Sequence, residues 1–260
     1  MISSASNAKV KQVVQMKKKG KVRRERGAFL VEGIKMVEEA IQYGILEAYV
    51  MESCLEQLQT SHGSVLERIQ YEVVSDKVFA EMSDTVTPQG ILAVVKMPVY
   101  TLSEILAKPN PHLMLLENLR DPGNLGTILR SAEGAGATGV VLSKESVDIF
   151  NPKVIRSTMG SIFRVPFCYV EDFEEAMQLM KEAGVTLYAA HLCGTANYEA
   201  FDYHKGCGFL IGNEANGLTE ETSKEADCLV KIPMEGQVES LNAAMAASIL
   251  MFEVARQRRN

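Results

Sequence analysis

Three short clusters in the 260-residue chain carry side chains that can hold a polar ligand and handle charge. The first is Glu117-Asn-Leu-Arg-Asp-Pro-Gly-Asn-Leu-Gly-Thr-Ile-Leu-Arg130. Asp121-Pro-Gly reads as a turn, Asn124 as a helix cap, and Gly126 as a point of close approach, with Arg130 following on the helix. A well-made turn accounts for Asp-Pro-Gly, but not for an Asn and an Arg brought to one edge. The second cluster is Gly212-Asn-Glu-Ala-Asn-Gly-Leu218. It is Gly-rich like a phosphate loop, yet the Glu214 carboxylate is a poor neighbour for phosphate. It suits a sugar hydroxyl, a ligand ammonium or an arginine. A plain strand-to-helix turn capped by Thr219 is the competing reading. The third is Ile232-Pro-Met-Glu-Gly-Gln-Val-Glu-Ser-Leu-Asn242, where Ser240 and Asn242 are either helix caps or ligand-binding groups.

The elements that must position these clusters follow from periodicity. In the second half, strands are predicted at 112–117, 139–142, 185–189, 208–211 and 228–232, alternating with helices at 125–135, 152–159, 173–183, 219–226 and 241–257. That alternation implies a parallel sheet covered on both faces, whose ligands bind beyond the carboxyl ends of the strands. Each cluster follows such a strand. In the first half, helices at 6–19, 32–43, 55–62 and 76–82 and strands at 46–51, 71–74 and 90–96 describe a small α/β unit. The domain reading is a basic N-terminal arm at 1–27, a small α/β domain at 28–97, a Pro-punctuated linker at 98–111 and a larger domain at 112–260. The apolar stripe of the last helix, including Leu241, Ala244, Met245, Ile249 and Phe252, is core or subunit interface.

Gly134-Ala-Gly-Ala-Thr-Gly139 matches the GxGxxG dinucleotide pattern, but it ends a helix and precedes a strand. A dinucleotide fingerprint does the reverse, so a helix C-cap and turn is the better reading. A nicotinamide oxidoreductase would rest on this misplaced motif alone.

The composition is that of an ordinary globular chain, 47% hydrophobic and 23% charged. No apolar run approaches a membrane span, and no secretory signal is evident. The five cysteines show no CxxC pair and the four histidines no HExxH pattern. The expectation is a cytoplasmic protein without disulfides or metal. The net charge of −6 conceals an asymmetry: residues 1–26 carry nine Lys/Arg against Glu25, a net of +8 that leaves −14 on the rest. Lys17, Lys18, Lys19, Lys21, Arg23, Arg24 and Arg26 form a candidate polyanion-binding arm, a solubilising tail being the alternative.

Taken together, Asn124-x-Gly126-x-x-x-Arg130, Gly212-Asn-Glu-x-x-Gly-Leu218 and Ile232-Pro-Met-x-Gly-x-x-x-Ser240-Leu-Asn242 resemble the SpoU/TrmH family of SPOUT RNA methyltransferases. Asn151–Gly160 resembles that family's intermediate segment, and Phe29-Leu-Val-Glu-Gly33 its N-terminal substrate-binding domain, which is similar to certain ribosomal RNA-binding proteins. The resemblance covers residues 112–258 most specifically. It implies an α/β fold with a C-terminal trefoil knot, a homodimer, and S-adenosylmethionine as cofactor. It implies methyl transfer to a ribose 2′-hydroxyl, in ribosomal RNA ahead of transfer RNA. A binding protein of the same fold without turnover is the remaining alternative, and the intact motif residues argue against it.

By family position, Asn124, Arg130, Glu214, Ser240 and Asn242 form the catalytic and ribose-binding set. Gly212, Ile232 and Leu241 hold the cofactor through their backbones, with Met234 and Ser240 nearby. The sulfonium donor is already activated, so the protein must align oxygen, carbon and sulfur and handle one proton. The family proposal gives that proton to the arginine, here Arg130. A guanidinium with a pKa above about 12 is a poor base, and an electrostatic role beside a phosphate fits it better.

Overall fold

A computed structural model describes residues 1–194 and 196–259 of the chain. They divide into two compact units: residues 1–98 together with 148–163, and residues 99–147 together with 164 onward.

In the first unit, α1 (Ala8–Lys18) and α2 (Gly20–Arg26) precede β1 (Ala28–Glu32), α3 (Ile34–Ala40), β2 (Ile45–Met51), α4 (Leu55–Leu66), β3 (Glu72–Val74), α5 (Asp76–Met82) and β4 (Ile91–Lys96). The sheet runs β1-β4-β2-β3, antiparallel except for the parallel β2–β3 pair. The basic N-terminal stretch is not a tail. Asn7 Oδ1 caps α1 at Lys9 N, and Val10, Val13 and Met16 lie in the core with Tyr49, Phe79 and Leu92. Spacing of three residues puts these apolar groups on one helix face and turns the lysines outward. Segment 148–163, read from sequence as part of the larger domain, packs in this unit: Phe29 meets Phe150 and Phe163 at ring distances of 4.9 and 5.9 Å.

The second unit begins with α6 (Leu102–Leu106), inside the stretch read as a linker. Its Thr101–Glu104 capping box and buried Ile105 explain why it is ordered. Then come β5 (His112–Leu116), α7 (Pro122–Gly134) and β6 (Gly139–Ser143); α8 (Pro152–Thr158) belongs to the first unit. The remainder is β7 (Phe167–Val170), α9 (Phe173–Glu182), β8 (Thr186–Ala190), β9 (Ala196–Asn197), β10 (Cys207–Ile211), α10 (Glu220–Glu225), β11 (Cys228–Lys231) and α11 (Ala243–Arg259). The strands order as β7-β6-β5-β10-β8-β11-β9, every pair parallel. Central strands β5, β6 and β10 are buried along their whole length, as a sheet covered on both faces requires. Gly134 ends α7, Gly136 has φ +70°, and Gly139 opens β6 against Ile105, so the glycine-rich stretch is a helix terminus and turn.

Candidate active site

Parallel pairing of β5 with β10 sets Leu116 opposite Ile211, so the loops that follow leave the sheet side by side. Two carboxylates clasp these loops in opposite directions. Glu117, buried after β5, accepts Thr219 N at 2.8 Å and the hydroxyls of Thr219 and Thr222 at 2.7 and 2.6 Å. Glu214, on the β10 loop, accepts Arg120 N at 3.1 Å, Asp121 N at 3.0 Å and Asn124 Nδ2 at 3.0 Å. Asn213 adds a bond from Nδ2 to the Asn118 carbonyl at 2.8 Å. Within the second loop, Asn213 and Gly217 exchange two backbone bonds, and any Cβ on Gly212 would overlap the Gly217–Leu218 backbone.

Burial by itself would raise the Glu214 pKa. The bonds from Asn124 and from the amides of Asp121, Glu214 and Arg120 outweigh it and hold the carboxyl below its ordinary value. An ionised Glu214 only accepts, so Nδ2 of Asn124 must face it and Oδ1 must face away. That oxygen receives Asn242 Nδ2 at 3.0 Å, and Asn242 Oδ1 in turn caps α11 at Ala244 N, 2.9 Å. Asp121, not Asn124, caps α7: its Oδ1 accepts Asn124 N at 2.8 Å, with Pro122 in the first turn. The Asn124 side chain is thereby released for Glu214.

The structure thus joins Asn124, Glu214 and Asn242. Arg130 stands exposed farther along α7 and forms no ion pair among the described residues. Ser240 is exposed and Ile232, Met234 and Leu241 are half-buried, all on the chain between β11 and α11. From Pro233 to Leu241 no hydrogen bond is formed among the described residues, so these backbone groups are available to a ligand. Glu117 and Asp121 were missed as site residues. Glu117 had a signal, a carboxylate closing the apolar run Leu113–Leu116; Asp121 had one as well, standing directly before Pro122.

Of the seven cations read as an RNA-binding arm, three are committed inside the first unit. Arg23 is 3% exposed, donating to the Met16 carbonyl and pairing with Asp148 at 2.5 Å. Arg26 pairs with Glu47. Lys17 donates to the carbonyls of Glu81 and Ser83, each at 2.7 Å. Lys18, Lys19, Lys21 and Arg24 remain exposed. Among the described residues there is no group of three or more His, Cys, Asp or Glu placed to hold a metal.

A covered parallel sheet with polar loops gathered at its carboxyl edge is the layout of an open α/β protein that binds its ligand at that edge. The chain belongs to the SpoU rRNA Methylase family, which residues 111–252 match, and residues 7–93 match the MRM3-like substrate binding domain. The resemblance read from the three clusters is borne out. The chain is 35% identical to the 23S rRNA (guanosine(2553)-2'-O)-methyltransferase RlmP of Bacillus subtilis, over 97% of this chain and 98% of that one. Its fold is similar to the SpoU methyltransferase AviRb from Streptomyces viridochromogenes in complex with AdoMet, with TM-score 0.87, 29% identity and coverage of 98% and 99%. The AdoMet-bound rRNA methyltransferase from Sinorhizobium meliloti is similar as well, with TM-score 0.84, 32% identity and coverage of 98% and 97%.

Proposed function

We propose that the protein transfers the methyl group of S-adenosylmethionine to a ribose 2′-hydroxyl of ribosomal RNA. The observation that carries this reading is the Glu214–Asn124–Asn242 chain, formed where three loops of a SpoU-family sheet meet. Relatives acting on 23S rRNA favour that substrate over transfer RNA.

The residues fit the cofactor. The unbonded backbone from Pro233 to Leu241, with Ile232 and Gly212, offers donors and acceptors for an adenine edge and a ribose. When bound, S-adenosylmethionine supplies an electrophilic methyl. Asn124 and Asn242, locked in orientation by Glu214 and by the α11 cap, present amide groups to the acceptor ribose together with Ser240. Arg130, which forms no ion pair among the described residues, binds an adjacent phosphate and stabilises negative charge developing on the attacking oxygen. The proton then leaves to phosphate or water.

The first unit is the RNA-holding part in this reading and the second the methyltransferase. Met245 and Phe252, seven residues apart on α11 and 56% and 45% exposed, form an apolar face that a second copy covers in a homodimer. A trefoil-knotted path in the second unit and a cytoplasmic location belong to the same reading. No helix of the described residues is long and apolar enough to cross a membrane.

The test is transfer of labelled methyl from S-adenosylmethionine to unmodified total RNA, followed by size separation and alkaline hydrolysis. Label in large RNA that survives as alkali-resistant dinucleotides is expected. Label confined to small RNA, or released as mononucleotides, would overturn the substrate or the ribose assignment.

A further inference from the structure

The loop of residues 83–89, between α5 and β4, is bonded by side chains from several elements while its tip is bare. Glu32, at the end of β1, accepts the hydroxyls of Ser83 and Thr85 on Oε1, both at 2.6 Å, and Asp84 N on Oε2 at 3.2 Å. Lys17 draws in the carbonyls of Glu81 and Ser83. Arg156, on α8, pairs with the Asp84 carboxylate and reaches its carbonyl at 3.3 Å. At the far end, Gln89 Oε1 accepts Ile34 N at 3.3 Å and sits where a Cβ on Gly33 (φ +96°) would approach to 2.7 Å. Val86, at the tip, is 102% exposed.

A lone exposed valine is unremarkable by itself. The number of anchors is what calls for a reason, since side chains from α1, β1 and α8 all bond this one short loop. Its neighbours supply that reason. Lys17 ties the loop to the C-terminal end of α1, where Lys18, Lys19, Lys21 and Arg24 follow, all exposed. Among the described residues Lys18, Lys19 and Arg24 form no ion pair, and Lys21 has only exposed Glu25 at 3.8 Å. An exposed apolar tip on a loop that Lys17 ties to this basic stretch complements a polyanion that presents apolar surface between its charges. Folded RNA does so through sugar and base edges in its shallow minor groove and loops.

We propose that residues 83–87 are a shape-reading element for RNA. Val86 seats against sugars and base edges, Lys18, Lys19, Lys21 and Arg24 neutralise phosphates, and Glu32 is the positioning residue that sets the loop. This rests on the reading that the protein acts on RNA.

The test is binding of the full-length protein to an unmodified large-subunit ribosomal RNA transcript at several salt concentrations, with S-adenosylmethionine affinity measured alongside. Val86→Asp is expected to raise the Kd for the transcript about tenfold or more. Glu32→Gln, which removes the acceptor for Asp84 N, is expected to weaken binding severalfold, with circular dichroism unchanged. The double variant Lys18→Ala/Lys19→Ala should reduce the salt slope by roughly 1.4 to 1.8, about 0.7 to 0.9 per phosphate contact. Leu179→Asp, the same kind of change at an exposed site on α9, should bind as wild type, and cofactor affinity should hold throughout. The loop assignment is overturned if wild type binds the transcript and both Val86→Asp and Glu32→Gln stay within twofold of it. If wild type transfers no methyl yet the binding differences persist, the activity reading falls and the loop assignment stands. Failure of wild type to bind the transcript at low salt overturns both.

Discussion

Asn242 donates from Nδ2 to Oδ1 of Asn124 across 118 residues of chain, at 3.0 Å. The bond has a fixed direction because Glu214 occupies the other end of Asn124 as a pure acceptor. Asn124→Asp is nearly isosteric but sets a second carboxylate against Glu214. The expected outcome is a fall in kcat of about 100-fold or more, given the ~2.7–4 kcal/mol carried by positioned polar groups at such sites. Steady-state methyl transfer checks it, with cofactor affinity measured in parallel. Because the Glu214 pKa is lowered, its bonds are complete above the ordinary carboxylate range of ~4.3 and are lost only as pH falls through the lower folded value.

Arg130 separates two accounts of proton handling. Both require near-total loss of activity in Arg130→Ala. Arg130→Lys keeps the positive charge and gives up the planar fork. Partial recovery, to within roughly 10- to 100-fold of wild type, is expected from an electrostatic role, which mutagenesis of comparable charge-stabilising groups puts at ~2.7–4 kcal/mol in all. A lysine variant as inactive as the alanine variant would count against that role.

Glu117 holds the start of α10 to the end of β5 through three donors. Glu117→Ala leaves Thr219 N and two hydroxyls without their acceptor in a partly buried place, a cost of about 1–3 kcal/mol for each group left unsatisfied. A lower Tm together with a lower kcat/KM is expected. Glu117→Gln keeps one acceptor and should fall between. Equal kcat/KM in all three proteins would show that the clasp does not position Glu214.

His112 makes stability depend on pH. Burial, helped by the Arg258 charge, pushes its pKa down to about 3, and its Nε2 has no hydrogen-bond partner among the described residues. Between that value and the ordinary ~6.5, the unfolded chain binds the proton and the folded one does not. Stability is therefore complete above about pH 6.5 and drains away as pH falls through this window. Thermal melts from pH 7 to 4 should show a Tm decline that is shallower in His112→Phe.

Much of the second unit was legible because buried parallel strands and amphipathic helices announce themselves by period. The strand over 207–211 and helix 173–182 fall within a residue of expectation. The misreadings have particular causes. Prolines at 98, 109 and 111 suggest a linker, while the Thr101–Glu104 box is the local signal of α6 that outweighs them. The helix expected over 6–19 is present as Ala8–Lys18, but the density of lysine in residues 1–26 drew attention from the apolar spacing of Val10, Val13 and Met16 that packs it into the first unit.

By itself the sequence determined the residue types of the site and the strands they follow, because loop chemistry and strand period are local. Glu214, Asn124 and Asn242 could be named without coordinates. Only the tertiary structure decided which of them touch, since those bonds depend on the register of β5 with β10 and on where α11 begins. It also decided the fate of the cations. A charge run reads alike whether a side chain ends in solvent or on a distant carboxylate. The distinction between Arg23 on Asp148 and its exposed neighbour Arg24 arises from contacts more than a hundred residues apart.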